Sequence, residues 1–134
     1  MNDPMSDLKG LQPEVKTKLE SEGIRNTTQF LEHTRTQQRT DLAHKVGTTP
    51  VAIKELANRA DLMRLHGVGG DFSNMLEEVG VNSCRELQHR VPEKLYKTLE
   101  AIHTDKKIGH RVPTLVQTTE WITEAKTLAA TSPV

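Results

Sequence analysis

The run Leu65-His66-Gly67-Val68-Gly69-Gly70-Asp71-Phe72-Ser73-Asn74-Met75-Leu76-Glu77-Glu78-Val79-Gly80-Val81 decides the fold. It reads as the end of one helix, a glycine turn, a second helix and a glycine stop. Gly67 and Gly69 flank a single apolar residue, Val68, and a turn that tight requires positive φ or close backbone approach, which glycine supplies at least cost. Met75, Leu76 and Val79 then follow at helical spacing, and Gly80 falls where a helix C′ residue belongs.

The chain contains this pattern twice. Leu8-Lys9-Gly10-Leu11-Gln12-Pro13-Glu14 lies 57 residues before Leu65-His66-Gly67-Val68-Gly69-Gly70-Asp71. The same spacing carries Leu19 onto Leu76, Gly23 onto Gly80, Ile24 onto Val81, Thr27 onto Cys84, Phe30 onto Leu87 and Leu42 onto Leu99. Leu56 and Ala60 align with Trp121 and Ala125 at a longer spacing. Units of this length have apolar faces that need a neighbour. The expected organisation is therefore a first repeat over residues 1–64 and a second over 65–130, packed as one compact body. The first turn is degraded: Gln12 replaces its second glycine and Pro13 lacks an N–H.

Elsewhere the chain reads as helices. Thr36 is expected to cap a helix through Val46, with Gly47 as its stop. Thr49 and Pro50 mark N-cap and N1 of a helix reaching Arg64. Ser83 with Glu86 reads as a capping box, and Pro92 and Pro113 as N1 residues. Leu95, Leu99 and Ile102 make one apolar face; Leu115, Thr118, Ile122, Ala125 and Leu128 make another. Nothing alternates with period two. The expected class is all-α, with about ten mostly short helices, frayed over the first six residues and over residues 131–134, and with its longest polar loop at 104–112.

Composition narrows the function. Lysine plus arginine equal aspartate plus glutamate at 18 each, so the net charge is zero, against the basic excess of dedicated nucleic-acid binders. Four aromatics provide no base-stacking platform. One cysteine, Cys84, excludes an internal disulfide and a cysteine-based zinc site and suits a cytoplasmic setting. No secretory signal or membrane span is read. The six histidines form no metal-ligand spacing, and no P-loop, nucleophile elbow or dinucleotide fingerprint is present. No enzyme, cofactor, metal or small-molecule substrate is expected.

The Gly67-Val68-Gly69 turn between helices resembles the helix-hairpin-helix motif. The resemblance implies a hairpin that holds nucleic-acid phosphate on backbone N–H groups. Two such units, with Asp61-Leu62 leading into Leu65-x-Gly67-Val68-Gly69, the Gly80-Val81 exit and Trp121-Ile122-x-x-Ala125-Lys126-x-Leu128, resemble an uncharacterised bacterial domain-of-unknown-function family of tandem helix-hairpin-helix repeats. That resemblance implies fold and no reaction. DNA-binding hairpins of the wider class often continue with Pro-Lys; here Gly70-Asp71 follows, and the Asp71 carboxylate repels phosphate and is expected to cap the helix N-terminus.

The candidate phosphate site is the second hairpin: Gly67, Val68, Gly69 and Gly70, with Arg64, His66 and Asn74 beside it, at a helix N-terminus that attracts anions. The candidate basic patch is Arg85, Arg90, Lys94, Lys97, Lys106, Lys107 and Arg111, against four acidic residues in the same segment. Two functions follow. The motif favours a non-enzymatic module gripping duplex DNA backbone without sequence specificity. Zero net charge, Asp71 and the degraded first hairpin favour a protein interaction adaptor. Arg64, Lys106, Lys107 and Arg111 around the hairpin would support the first; Asp71, Glu77 and Glu78 would support the second.

Overall fold

A computed structural model describes residues 3–134 and is all-helical among them. In chain order the helices are α1 (Pro13–Ser21), α2 (Thr27–Glu32), α3 (Arg39–Val46), α4 (Pro50–Leu62), α5 (Gly70–Glu78), α6 (Cys84–Leu87), α7 (Pro92–Lys106) and α8 (Leu115–Leu128). Two 3-10 turns, Met5–Asp7 and Ala129–Thr131, complete the described elements. None of the helices is long and apolar enough to cross a membrane.

The 57-residue spacing recurs in backbone geometry. Gly10 and Gly67 adopt φ of +83° and +78°, a left-handed conformation that strains a residue bearing Cβ. The Leu8 and Leu65 amides donate to Met5 and Leu62, each at 3.1 Å. Both long hairpin helices end in Schellman motifs. Ile24 N–H reaches Leu19 O and Val81 N–H reaches Leu76 O, each at 2.9 Å, while Gly23 and Gly80 donate to Glu20 and Glu77. Asn26 caps α2 through the Gln29 amide, and Ser83 caps α6 through the Glu86 amide.

The buried apolar side chains fall into two clusters. The first holds Met5, Leu8, Leu19, Ile24, Phe30, Leu42, Val46, Ile53, Leu56 and their neighbours; the second holds Leu62, Leu65, Val68, Met75, Leu76, Val81, Leu87, Leu99, Trp121 and theirs. Helix α4 serves both: Ile53, Leu56, Ala57 and Ala60 line the first cluster and Leu62 the second. Arg59 of α4 also pairs with Glu77 of α5 at 3.0 Å, with both side chains largely buried.

Several local expectations change. Gln38, not Thr36, precedes α3, which begins at Arg39. Thr49 and Pro50 start α4 as read, and Gly47 ends α3 at φ +75°. Ser83 caps α6, but the Glu86 carboxylate binds Arg90 instead of completing the box. The full capping box lies at Thr114 and Gln117, so Pro113 precedes the N-cap of α8. Helices α4, α7 and α8 run 13 to 15 residues. Leu115 is exposed, and Trp121 takes its place on the buried face of α8.

Among the described residues neither end is loose, contrary to expectation. Met1 and Asn2 lie outside the described residues. From Asp3 onward the chain is tied down: the Asp3 carbonyl accepts from Thr27 N–H at 2.9 Å, and Met5 is only 1% exposed. At the other end Ser132 is buried and hydrogen-bonded. The reason is burial: Met5, 57 places before the core residue Leu62, is itself a core residue and holds the N-terminal turn in place.

Candidate functional site

The second hairpin forms where α4 ends and α5 begins. Val68 points into the second core, and Gly67 is exposed. Gly69, in extended conformation, is the N-cap of α5 and supplies no capping side chain. Gly70 is the first helical residue. A Cβ there would fall on the backbone carbonyl of Asp7, so the N-terminal turn lies directly against this end of α5.

The polar groups at the entrance of the hairpin, the His66 N–H and carbonyl, are engaged from within the chain. His66 N–H donates to Glu124 Oε1 of α8 at 2.8 Å, and His66 Nδ1 lies 3.1 Å from Glu124 Oε2. Trp121 Nε1, one turn earlier on α8, donates to the His66 carbonyl at 3.1 Å. Trp121 also meets Phe72 of α5, with ring centroids 5.1 Å apart. Asp3 shares a small cavity of about 280 Å³ with Met63, Leu65, Gly67, Val68 and Gly69. Burial pushes the Asp3 carboxyl above its ordinary range, and its Oδ2 finds no hydrogen-bond donor among the described residues. The acidic side chains placed against the hairpin are thus Glu124 and Asp3.

The first hairpin has the opposite sign. Arg59 Nη1 donates to the Lys9 carbonyl at 3.2 Å. Lys9 precedes His66 by 57 residues, and Arg59 precedes Glu124 by 65, the longer spacing of the last helices. At equivalent places one hairpin is held by a cation and the other by an anion.

The remaining predicted residues do not assemble around the second hairpin. Arg64 turns away: Nη1 binds Asp61 Oδ1 at 2.9 Å and Nη2 binds Thr131 Oγ1 at 2.5 Å. Asn74 is half-buried one turn into α5. Asp71 does not cap α5; its Oδ2 accepts from His110 N–H at 2.9 Å and pins the 107–114 loop.

The basic segment divides as well. Arg85 donates to the carbonyls of Ala129 and Ser132, and Arg90 pairs with Glu86 at 2.6 Å. Lys94 and Lys97 are exposed on α7 among Glu93 and Glu100. Lys106 and Lys107 are exposed at its end, Lys107 at φ +55°. Arg111 alone of the patch reaches α5, its guanidinium carbon 4.6 Å over the Phe72 ring.

Asp61 carries no functional signal in the sequence. This carboxylate is fully buried and satisfied on every side: Arg64 on Oδ1, Cys84 N–H and Ser132 Oγ on Oδ2 at 2.9 and 2.6 Å. It meets the N-terminus of α6, where negative charge is favoured. Burial, and then the neighbouring Asp61 carboxylate, push the Cys84 thiol well above its ordinary range, which makes it an unreactive core group.

Residues 9–128 match the family described as "Domain of unknown function (DUF4332)", and the chain belongs to that family. No curated protein and no solved structure matches the chain.

Proposed function

We propose that this chain is a non-enzymatic protein-interaction scaffold made of two helix-hairpin-helix units, 1–64 and 65–130, whose hairpins bind the chain's own groups in place of nucleic-acid phosphate. The observation that carries this reading is Glu124. Its carboxylate takes the His66 amide at the entrance of the glycine hairpin, where a phosphate would otherwise arrive. Two unit charges of like sign 4 Å apart repel by ~1 kcal/mol in bulk water, and by more near a protein surface. Asp3 adds a second carboxylate beside Gly67 and Gly69.

Further support comes from charge. Duplex binding draws its affinity from cations that release counterions. Here Arg64, Arg85 and Arg90 are bound to the protein's own oxygens. The single buried thiol fits a cytoplasmic protein.

The test is fluorescence anisotropy of a labelled ~20-base-pair duplex at low and moderate salt, beside a folded Gly67→Ala, Gly69→Ala variant. The scaffold reading expects no binding by either protein at tens of micromolar. Salt-sensitive binding that disappears in the variant would replace it with the backbone-grip reading.

A further inference from the structure

After α8 the chain runs as a strap held by side chains of α3, α4 and α6 and by Arg64 just beyond α4. Arg85 donates from Nε to the Ala129 carbonyl at 3.0 Å and from Nη2 to the Ser132 carbonyl at 2.6 Å. Arg39 reaches the Pro133 carbonyl at 3.5 Å, and Arg64 binds the Thr131 hydroxyl. The Ser132 hydroxyl donates to Asp61 Oδ2 at 2.6 Å, with Asp61 at 0% and Ser132 at 3% exposure. Beside the strap an open cavity of about 370 Å³ is walled by Leu31, Glu32 and Arg35 and continues past Thr131 and Pro133.

These contacts separate into two kinds. Arg39 and Arg85 read main-chain carbonyls, which every sequence offers. Asp61 reads one side-chain hydroxyl from a fully buried position. Main-chain bonds for affinity and a side-chain pocket for specificity is the division of labour by which grooves hold extended peptides. Ser132 is extended (φ −71°, ψ 121°), as a residue before proline prefers, so Pro133 lowers the entropy lost on ordering the segment. A simple apolar latch would need no buried carboxylate, whose desolvation is costly.

We propose that this seat is a peptide-binding groove filled in cis by residues 131–134, and that its partner ligand is an extended peptide carrying a serine hydroxyl followed by proline, which displaces the strap. This rests on the scaffold reading and names the class of partner. Tethering gives the strap an effective concentration near millimolar, so it competes strongly with a free peptide.

The experiment uses the full chain and a fluorescein-labelled peptide Ala-Ala-Thr-Ser-Pro-Val, read by anisotropy, with Ala-Ala-Thr-Ala-Pro-Val as comparison. Ser132→Ala weakens the strap by one charge-assisted hydrogen bond. The variant is expected to bind the serine peptide about tenfold or more tighter than the unaltered chain, and to prefer it to the alanine peptide by a similar factor. If Ser132→Ala lowers the folded fraction by circular dichroism, Thr131→Val takes its place, losing the Arg64 contact at similar volume. A folded variant that binds neither peptide, or both alike, overturns the groove. That failure leaves the duplex titration unchanged, whereas hairpin-dependent duplex binding would refute the scaffold reading whatever the peptide does.

Discussion

Gly70→Ala sets two physical effects of opposite sign against each other. By helix propensity alone, alanine in place of glycine in α5 stabilises by up to ~1 kcal/mol. The packing opposes it. The new methyl would fall on the Asp7 carbonyl oxygen, and that carbonyl belongs to a turn anchored by Met5 and Leu8, which are 1% and 3% exposed. Moving the turn drags both side chains from the first core, where full burial of each stabilises by ~1.5–3 kcal/mol. Overpacking of a tight contact costs ~1–3 kcal/mol, so the methyl is expected to destabilise on balance. In urea, followed by the fluorescence of buried Trp121, the midpoint should fall by roughly 1 M. Gly69→Ser supplies the contrast. Nothing lies within 4 Å of a Cβ at Gly69, and a serine N-cap is better than glycine by a few tenths of a kcal/mol, so its midpoint should hold or rise slightly. A Gly70→Ala midpoint equal to or above that of the unaltered chain would refute the close packing of the N-terminal turn on the hairpin.

Other perturbations probe Asp61, Glu77 and Cys84. Asp61→Ala leaves Arg64, the Cys84 amide and Ser132 without their shared partner, and should cost ~3–5 kcal/mol in the same denaturation; a loss under ~1 kcal/mol would contradict the hub. Burial holds Glu77 above its ordinary 4.5, outweighing the Arg59 guanidinium, so the folded state binds the proton more tightly than the unfolded. The stability from that proton is present in full below about pH 4.5 and is lost as pH rises through the raised value. Glu77→Gln should flatten that fall, measured as Tm from about pH 4 to pH 7; parallel curves would show that Glu77 does not cause it. Cys84 should react with a thiol reagent only as fast as the chain unfolds, and prompt native labelling would contradict its burial.

The 57-residue spacing was legible because it is carried by residues with local meaning. Gly10 and Gly67 share a positive φ, as do Gly23 and Gly80, and Ser83 announced its cap, whereas the matching cap at Asn26 went unread. Extending that alignment three residues back from Leu8 would have put Met5 on Leu62 and predicted an ordered N-terminal turn. Proline was a less reliable sign: Pro50 and Pro92 are N1 residues, whereas Pro113 stands outside a helix that Thr114 caps better. The surroundings of the hairpin were not legible, because charge in sequence is not charge in space. Arg64 stands two residues before His66 in the chain yet faces Asp61, while Glu124, 58 residues away, meets the hairpin. The basic segment 85–111 likewise lost Arg85 to the strap, a partner that no local pattern announces, and Arg90 to Glu86 four residues before it.

The most direct measurement follows the backbone amides of His66, Gly67, Val68 and Gly69 by nitrogen–proton NMR while a short duplex is added at low salt. These four resonances are expected to stay where they are, with His66 held by Glu124. Progressive shifts confined to them, reversed by salt, would mean that phosphate takes the place of Glu124, and would contradict the claim that the hairpin is filled by the chain itself.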